Sequence, residues 1–196
     1  MSAIAEKSYT ADDLLSLPDG DRFELVDGEL LERSMGTIAS WVGGEVYARL
    51  RDVARVTGGW AFADGTGYRC FDDNERVRKP DASFIRPGRL PQLPEGFTTI
   101  PPDVAVEVIS PSDVLYEVEA KVDEYLDAGV KLVWLINPSN RSVRVFQPNQ
   151  RPIQLGPADD LTGSDVLPDF RCSVAELFPP RELSPKFTGS RSGAAG

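Results

Sequence analysis

Two carboxylates occupy positions where a carboxylate is costly. Val104-Ala105-Val106-Glu107-Val108-Ile109 is a continuous apolar run, the pattern of a strand buried on both faces, broken only by Glu107. An unpaired acid there costs several kcal/mol, so Glu107 must be ion-paired, protonated or bound to a cation. The second acid is Asp81, in Val77-Arg78-Lys79-Pro80-Asp81-Ala82-Ser83-Phe84-Ile85. Proline inside a strand-like run marks an edge, an end or a bulge, places where a side chain is re-aimed toward a site. Each acid has a plain structural explanation, a buried pair with an arginine for Glu107 and an ordinary Pro-Asp strand start for Asp81. Together, two carboxylates from neighbouring strands supply the hard oxygen ligands that Mg²⁺ or Mn²⁺ prefers.

A lysine follows at helical range. In the segment after the Glu107 run, Val114, Val118, Val122 and Tyr125 form an inward stripe, and Lys121 stands on its border. From there it can reach across the strand ends toward Glu107, 14 positions earlier (121 − 107). The alternatives are a snorkelling surface lysine or an i,i+4 partner of Glu117. Tyr125 and Trp134 read as core residues. Ser110-Pro111-Ser112-Asp113 reads as a strand stop, with Ser112 or Asp113 capping the next helix.

Composition narrows the chemistry. The chain has no histidine, which removes Ser-His-Asp and Cys-His nucleophiles, histidine metal sites and histidine general bases. Two cysteines, Cys70 and Cys172, neither frame a disulfide scaffold nor have the close Cys or His neighbours of a zinc site. A formal charge of −10 opposes a surface made for nonspecific DNA binding, although a locally basic cleft is compatible with it. No apolar run approaches the roughly 18 residues that span a bilayer. The first ten residues lack the basic start and apolar block of a secretory signal, so a cytoplasmic location without membrane contact is expected.

The elements that must position these residues can be read along the chain. Thr10 caps a short helix over 11–15, and Phe23-Glu24-Leu25-Val26-Asp27-Gly28-Glu29-Leu30-Leu31-Glu32 is a hairpin turning at Asp27-Gly28. Ile38, Val42, Val46, Leu50 and Val53 recur at helical spacing, closed by Gly58-Gly59. Strand-like runs follow over 60–71, 77–85 and 104–109, then a helix over 114–128 ended by Gly129, then strands over 131–137 and 142–147. Short strand pieces and a helical turn over 174–178 close the folded part. With 196 residues the chain fits one domain over 1–178 and a disordered Ser/Gly/Pro-rich tail over 179–196. The element order predicts an α/β fold, a mixed β-sheet flanked by helices with an N-terminal helix and hairpin.

The ordered set Phe23-Glu24-Leu25-Val26-Asp27-Gly28, Arg78-Lys79-Pro80-Asp81, Val106-Glu107-Val108-Ile109-Ser110-Pro111-Ser112-Asp113, Lys121…Tyr125…Gly129-Val130 and Val133-Trp134-Leu135-Ile136-Asn137-Pro138 resembles the Uma-two family. These are restriction-endonuclease-like proteins of the PD-(D/E)XK nuclease superfamily, and the likeness runs over about 9–178. The resemblance implies a restriction-endonuclease-like fold and metal-dependent hydrolysis of phosphodiester bonds in nucleic acid, DNA first, with Mg²⁺ or Mn²⁺ as cofactor and a homodimer as the working form. It places Asp81 and Glu107 as catalytic metal ligands, Lys121 as a catalytic lysine displaced from the position held here by Ile109, and Glu24 as an accessory catalytic acid. Many relatives carry a histidine in the stretch corresponding to 34–40, where this chain has none. A nuclease-derived binding module without catalysis and a hydrolase of small phosphodiesters are the competing expectations.

Overall fold

The computed structural model describes residues 8–33 and 36–180. The expected tail over 179–196 therefore lies outside the described residues apart from Pro179 and Pro180, as do Ser34 and Met35 of the stretch where relatives carry a histidine.

Local sequence signals set the first elements. Helix α1 (Ala11–Ser16) begins with a reciprocal capping box, Thr10 Oγ1 accepting the Asp13 N–H and the Asp13 carboxylate accepting the Thr10 N–H. Strands β1 (Phe23–Val26) and β2 (Glu29–Glu32) pair across Asp27 and Gly28, whose φ of 51° and 79° make the left-handed pair of a two-residue hairpin turn. Helix α2 (Thr37–Thr57) ends at Gly58, φ 81°, whose N–H returns to the Ala54 carbonyl.

The central sheet has six strands, β3 (Trp60–Ala63), β4 (Ala82–Ile85), β5 (Val104–Val108), β6 (Leu132–Asn137), β7 (Ser142–Phe146) and β8 (Ile153–Leu155), neighbouring one another in that order. All pairs are antiparallel except β5 with β6, which are parallel and joined by helix α3 (Leu115–Asp127). A second hairpin, β9 (Asp160–Gly163) with β10 (Leu167–Ser173), and a 3-10 turn at Val174–Leu177 are the last elements among the described residues. The expected mixed sheet with flanking helices is present.

Burial explains the layers. On β5, Val104, Val106 and Val108 join the larger core with Val42, Val46 and Leu50 of α2, and β10 contributes Phe170 and Cys172 to it. Ala105 joins the opposite core with Val122 and Tyr125 of α3, Val133 and Leu135. By the period of two, Glu107 shares the α3 side with Ala105. A satellite core ties α1 to the first hairpin through Ala11, Leu14, Leu25 and Val77.

Three local expectations are corrected. The run over 60–71 yields a strand only to Ala63, because Asp64-Gly65-Thr66-Gly67 turns the chain at Gly65, φ 94°. The run over 77–85 is split by Pro80, which has no N–H for a ladder: Val77 pairs instead with Leu25 of the first hairpin, and the strand starts at Ala82. At α3 the N-cap is Val114, 44% exposed and with no side-chain cap, so neither Ser112 nor Asp113 caps the helix. Asp113 closes the preceding turn, accepting the Ser110 N–H at 2.7 Å and the Ser110 hydroxyl at 3.0 Å.

Candidate active site

The Pro-Asp step places Asp81 by a specific exchange of hydrogen bonds. The Asp81 N–H donates to the Val106 carbonyl at 2.9 Å, and Asp81 Oδ2 accepts the Val108 N–H at 2.7 Å. The carboxylate thus takes the ladder position that a carbonyl would hold, and it lies across from Glu107, since Ala82 pairs with Val106 in the antiparallel register. Both acids are buried, at 8% and 7% exposure.

Helix α3 brings the groups that meet Glu107. Lys121 Nζ lies 2.9 Å from Glu107 Oε2, and the Tyr125 hydroxyl donates to Glu107 Oε1 at 2.8 Å. The spacing of four residues puts both on one helix face over the end of β5. Tyr125 is core by its ring and a hydrogen-bond donor by its hydroxyl. Glu107 is paired with a lysine and a tyrosine, not with an arginine.

Glu24 enters because Val77 pairs with Leu25, which lays the first hairpin beside 77–79. Its carboxylate accepts the Lys79 N–H at 2.6 Å, Arg78 Nη1 at 3.1 Å and Lys121 Nζ at 2.9 Å. Lys121 is therefore a partly buried bridge between two acids on different elements. Arg78 is fully engaged, forking Glu124 at 2.7 and 2.8 Å while holding Glu24.

Charge balance separates the acids. Burial alone would raise Glu24, but the charges of Lys121 and Arg78 override it and hold its carboxyl down to about 2. Burial would likewise discharge Lys121, yet Glu107 and Glu24 raise it above the ordinary lysine range, so it stays an ammonium. Burial raises Glu107, and the share of Lys121 it receives is offset by the nearby charge of Glu24. Asp81 is pushed up to about 8, first by burial and then by Glu107, against the opposing pull of Lys121, the Val108 N–H and Arg33.

Asp103 shows that a buried acid alone makes no site. It is fully enclosed at the start of β5, yet it accepts Arg86 N–H and Nε at 2.8 Å and Arg89 Nη1 at 2.7 Å. Asp81 has no such clamp. Arg33, just past β2, places Nη2 3.6 Å from Asp81 Oδ1 while bonding Asp64 and, at 3.1 Å, the Lys79 carbonyl. Arg33, Asp64 and the hydroxyl of Tyr125 were not signalled by the sequence; Arg78 sits inside the Arg78-Lys79-Pro80-Asp81 motif, three residues before the acid, and that position in the motif was the available clue.

Glu24, Arg33, Arg78, Asp81, Glu107 and Lys121 line a cleft of about 800 Å³ between the first hairpin and the start of α3. Nine acidic and four basic residues line it, so its floor repels a polyanion unless cations are added. The donor set fits a hard divalent cation: two buried carboxylates on adjoining strands, with Asp81 Oδ1 free of any hydrogen bond among the described residues. No group of three or more Asp, Glu, Cys or His side chains is placed to hold one ion among the described residues, so water or carbonyl oxygens would complete the coordination. The cysteines take no part: burial pushes Cys70 up to about 12 and Cys172 up to about 11, inert thiols.

Among the described residues no helix is long and apolar enough to cross a membrane. No curated protein matches the chain. A solved structure described as "a putative nuclease belonging to DUF820" from Anabaena variabilis ATCC 29413 superposes with a TM-score of 0.74, covering 86% of this chain and 97% of that one at 23% identity, which shows a shared fold. The family model Uma2, described as "Putative restriction endonuclease", matches residues 11–175, and the chain belongs to that family.

Proposed function

We propose that the chain is a metal-dependent phosphodiesterase acting on nucleic acid, with DNA as its first substrate and Mg²⁺ or Mn²⁺ as its cofactor. The observation that carries this reading is the placement of Asp81 across from Glu107 on adjoining strands, two buried carboxyls both raised above their ordinary range, with Lys121 on Glu107 and Arg33 standing off Asp81 at 3.6 Å. The family match and the shared fold support it.

Asp81 and Glu107 would hold the ion. What a divalent ion supplies when bound is polarisation of a phosphoryl oxygen and a lowered pKa for water. Lys121, held protonated by Glu107 and Glu24, cannot act as a general base; it offers fixed positive charge where charge develops on the phosphate. Glu24 keeps Lys121 in place, and its full set of donors leaves it a positioning residue rather than a ligand. The Tyr125 hydroxyl orients Glu107. A homodimer would supply two such sites for the two strands of a duplex.

The acid-rich cleft favours a second reading, hydrolysis of small phosphodiesters, which need less positive charge. Nicking of supercoiled plasmid in Mg²⁺ or Mn²⁺, run beside a chromogenic phosphodiester, separates the two. Asp81→Ala and Glu107→Ala should abolish metal-dependent cleavage while leaving the far-ultraviolet spectrum unchanged. Full activity in either folded variant at matched salt refutes the proposal.

A further inference from the structure

Most of the buried acids of the cleft are in contact with a cation. Lys121 meets Glu107 and Glu24 at 2.9 Å, and Arg78 meets Glu24 at 3.1 Å and Glu124 at 2.7 Å. Asp81 is the exception: among the described residues its nearest cation, Arg33 Nη2, stands off at 3.6 Å, beyond hydrogen-bond length. What holds Arg33 back is visible. The same nitrogen is anchored by the Asp64 carboxylate and the Lys79 carbonyl. Arg33 is thus close enough to offset charge on Asp81 and too well held elsewhere to clamp it.

Resting on the reading that Asp81 and Glu107 take a divalent ion, we propose that Arg33 is a built-in counter-ion at Asp81 that the incoming metal displaces, with Asp64 as the arm that sets how strongly it competes. Space for such a movement exists in the cleft, which Arg33 lines; Asp64 and Asp81 line both this cleft and a second cavity of about 180 Å³ against Ser40, Gly43 and Gly44 of α2. Displacement therefore moves the guanidinium into the cleft, where a substrate phosphate would lie and where acids outnumber bases. A planar fork of donors is well matched to phosphate oxygens.

Removing Arg33 and removing Asp64 should shift metal affinity in opposite directions, which a merely structural role of either residue would not do. Calorimetric titration of the full chain with Mn²⁺ at pH 8.5 in deoxygenated buffer keeps proton competition small. Removing a charge 3.6 Å from the ligand oxygen in a water-accessible cleft, Arg33→Gln should bind Mn²⁺ roughly fivefold to tenfold more tightly. Asp64→Asn, which frees Arg33 to close on Asp81, should bind it more weakly by roughly the same factor. The double variant should resemble Arg33→Gln, since Asp64 then has no arginine to restrain. Arg33→Lys keeps the charge and should stay within roughly threefold of the unmodified protein.

Unchanged or weaker binding by Arg33→Gln, with Arg33→Lys binding normally as evidence of a sound fold, overturns the proposal. So does an Asp64→Asn loss that persists in the double variant, which would make Asp64 a ligand in its own right. If neither the unmodified protein nor Arg33→Gln binds Mn²⁺, the metal reading falls and this inference falls with it.

Discussion

Replacing Asp81 with asparagine should stabilise the protein while destroying the proposed metal site. The folded carboxyl is pushed up to about 8 against an ordinary 3.8, so between these values the folded state holds a proton that the unfolded chain has released. Stability therefore falls as pH rises through that window, the reverse of a salt-bridged acid. Between pH 4 and pH 7 the fall spans about three pH units at about 1.36 kcal/mol each, on the order of 4 kcal/mol. Asparagine keeps an acceptor for the Val108 N–H and removes the ionisation. Its amide facing Arg33 costs about 1 kcal/mol, leaving a net gain of about 2–3 kcal/mol at pH 7. For a chain of this size that is roughly 4–10 °C in Tm. The assay is thermal melting by circular dichroism in EDTA at pH 5 and pH 8. The melting difference between Asp81→Asn and the unmodified protein should widen from pH 5 to pH 8. An asparagine variant less stable at pH 8, or one whose advantage does not grow with pH, refutes the reasoning.

Other outcomes follow from the same contacts. Mn²⁺ must displace the proton on Asp81, so its affinity should rise about tenfold per pH unit below pH 8 and level off above, as calorimetry across pH 6–9 would read. Lys121→Met leaves Glu24 and Glu107 buried without their shared cation and should lose about 3–5 kcal/mol in urea unfolding. Tyr125→Phe removes only the hydroxyl on Glu107 and should lose about 1–2 kcal/mol by the same method. Gly44→Ala adds a methyl with nothing within 4 Å inside α2, and should gain about 0.5–1 kcal/mol.

How far the sequence disclosed these contacts depended on their range. The hairpin at Asp27-Gly28, the stop at Gly58 and the capped helix at Thr10 are local events, and each formed where its residues call for it. Strand ends depart from expectation at Gly65 and at Pro80, where a polar Gly turn and a proline without an N–H stop the ladder inside a longer strand-like run. Glu107 was legible because it interrupts an apolar run and Asp81 because it follows a proline inside a strand-like run, and neither signal states a role. Glu24, at the hairpin, could be linked to them only through the family likeness; the bridge through Lys121 depends on Val77 pairing with Leu25, a contact between distant segments. Arg33 and Asp64 lie in short non-periodic stretches, so nothing local marks either as a neighbour of Asp81.

The most direct measurement is the anomalous difference map of a crystal soaked in Mn²⁺ at pH 8.5. The expected result is a peak at Asp81 and Glu107, with the Arg33 guanidinium moved away from Asp81. No peak there, with Arg33 still 3.6 Å from Asp81 and Lys121 still 2.9 Å from Glu107, would contradict it.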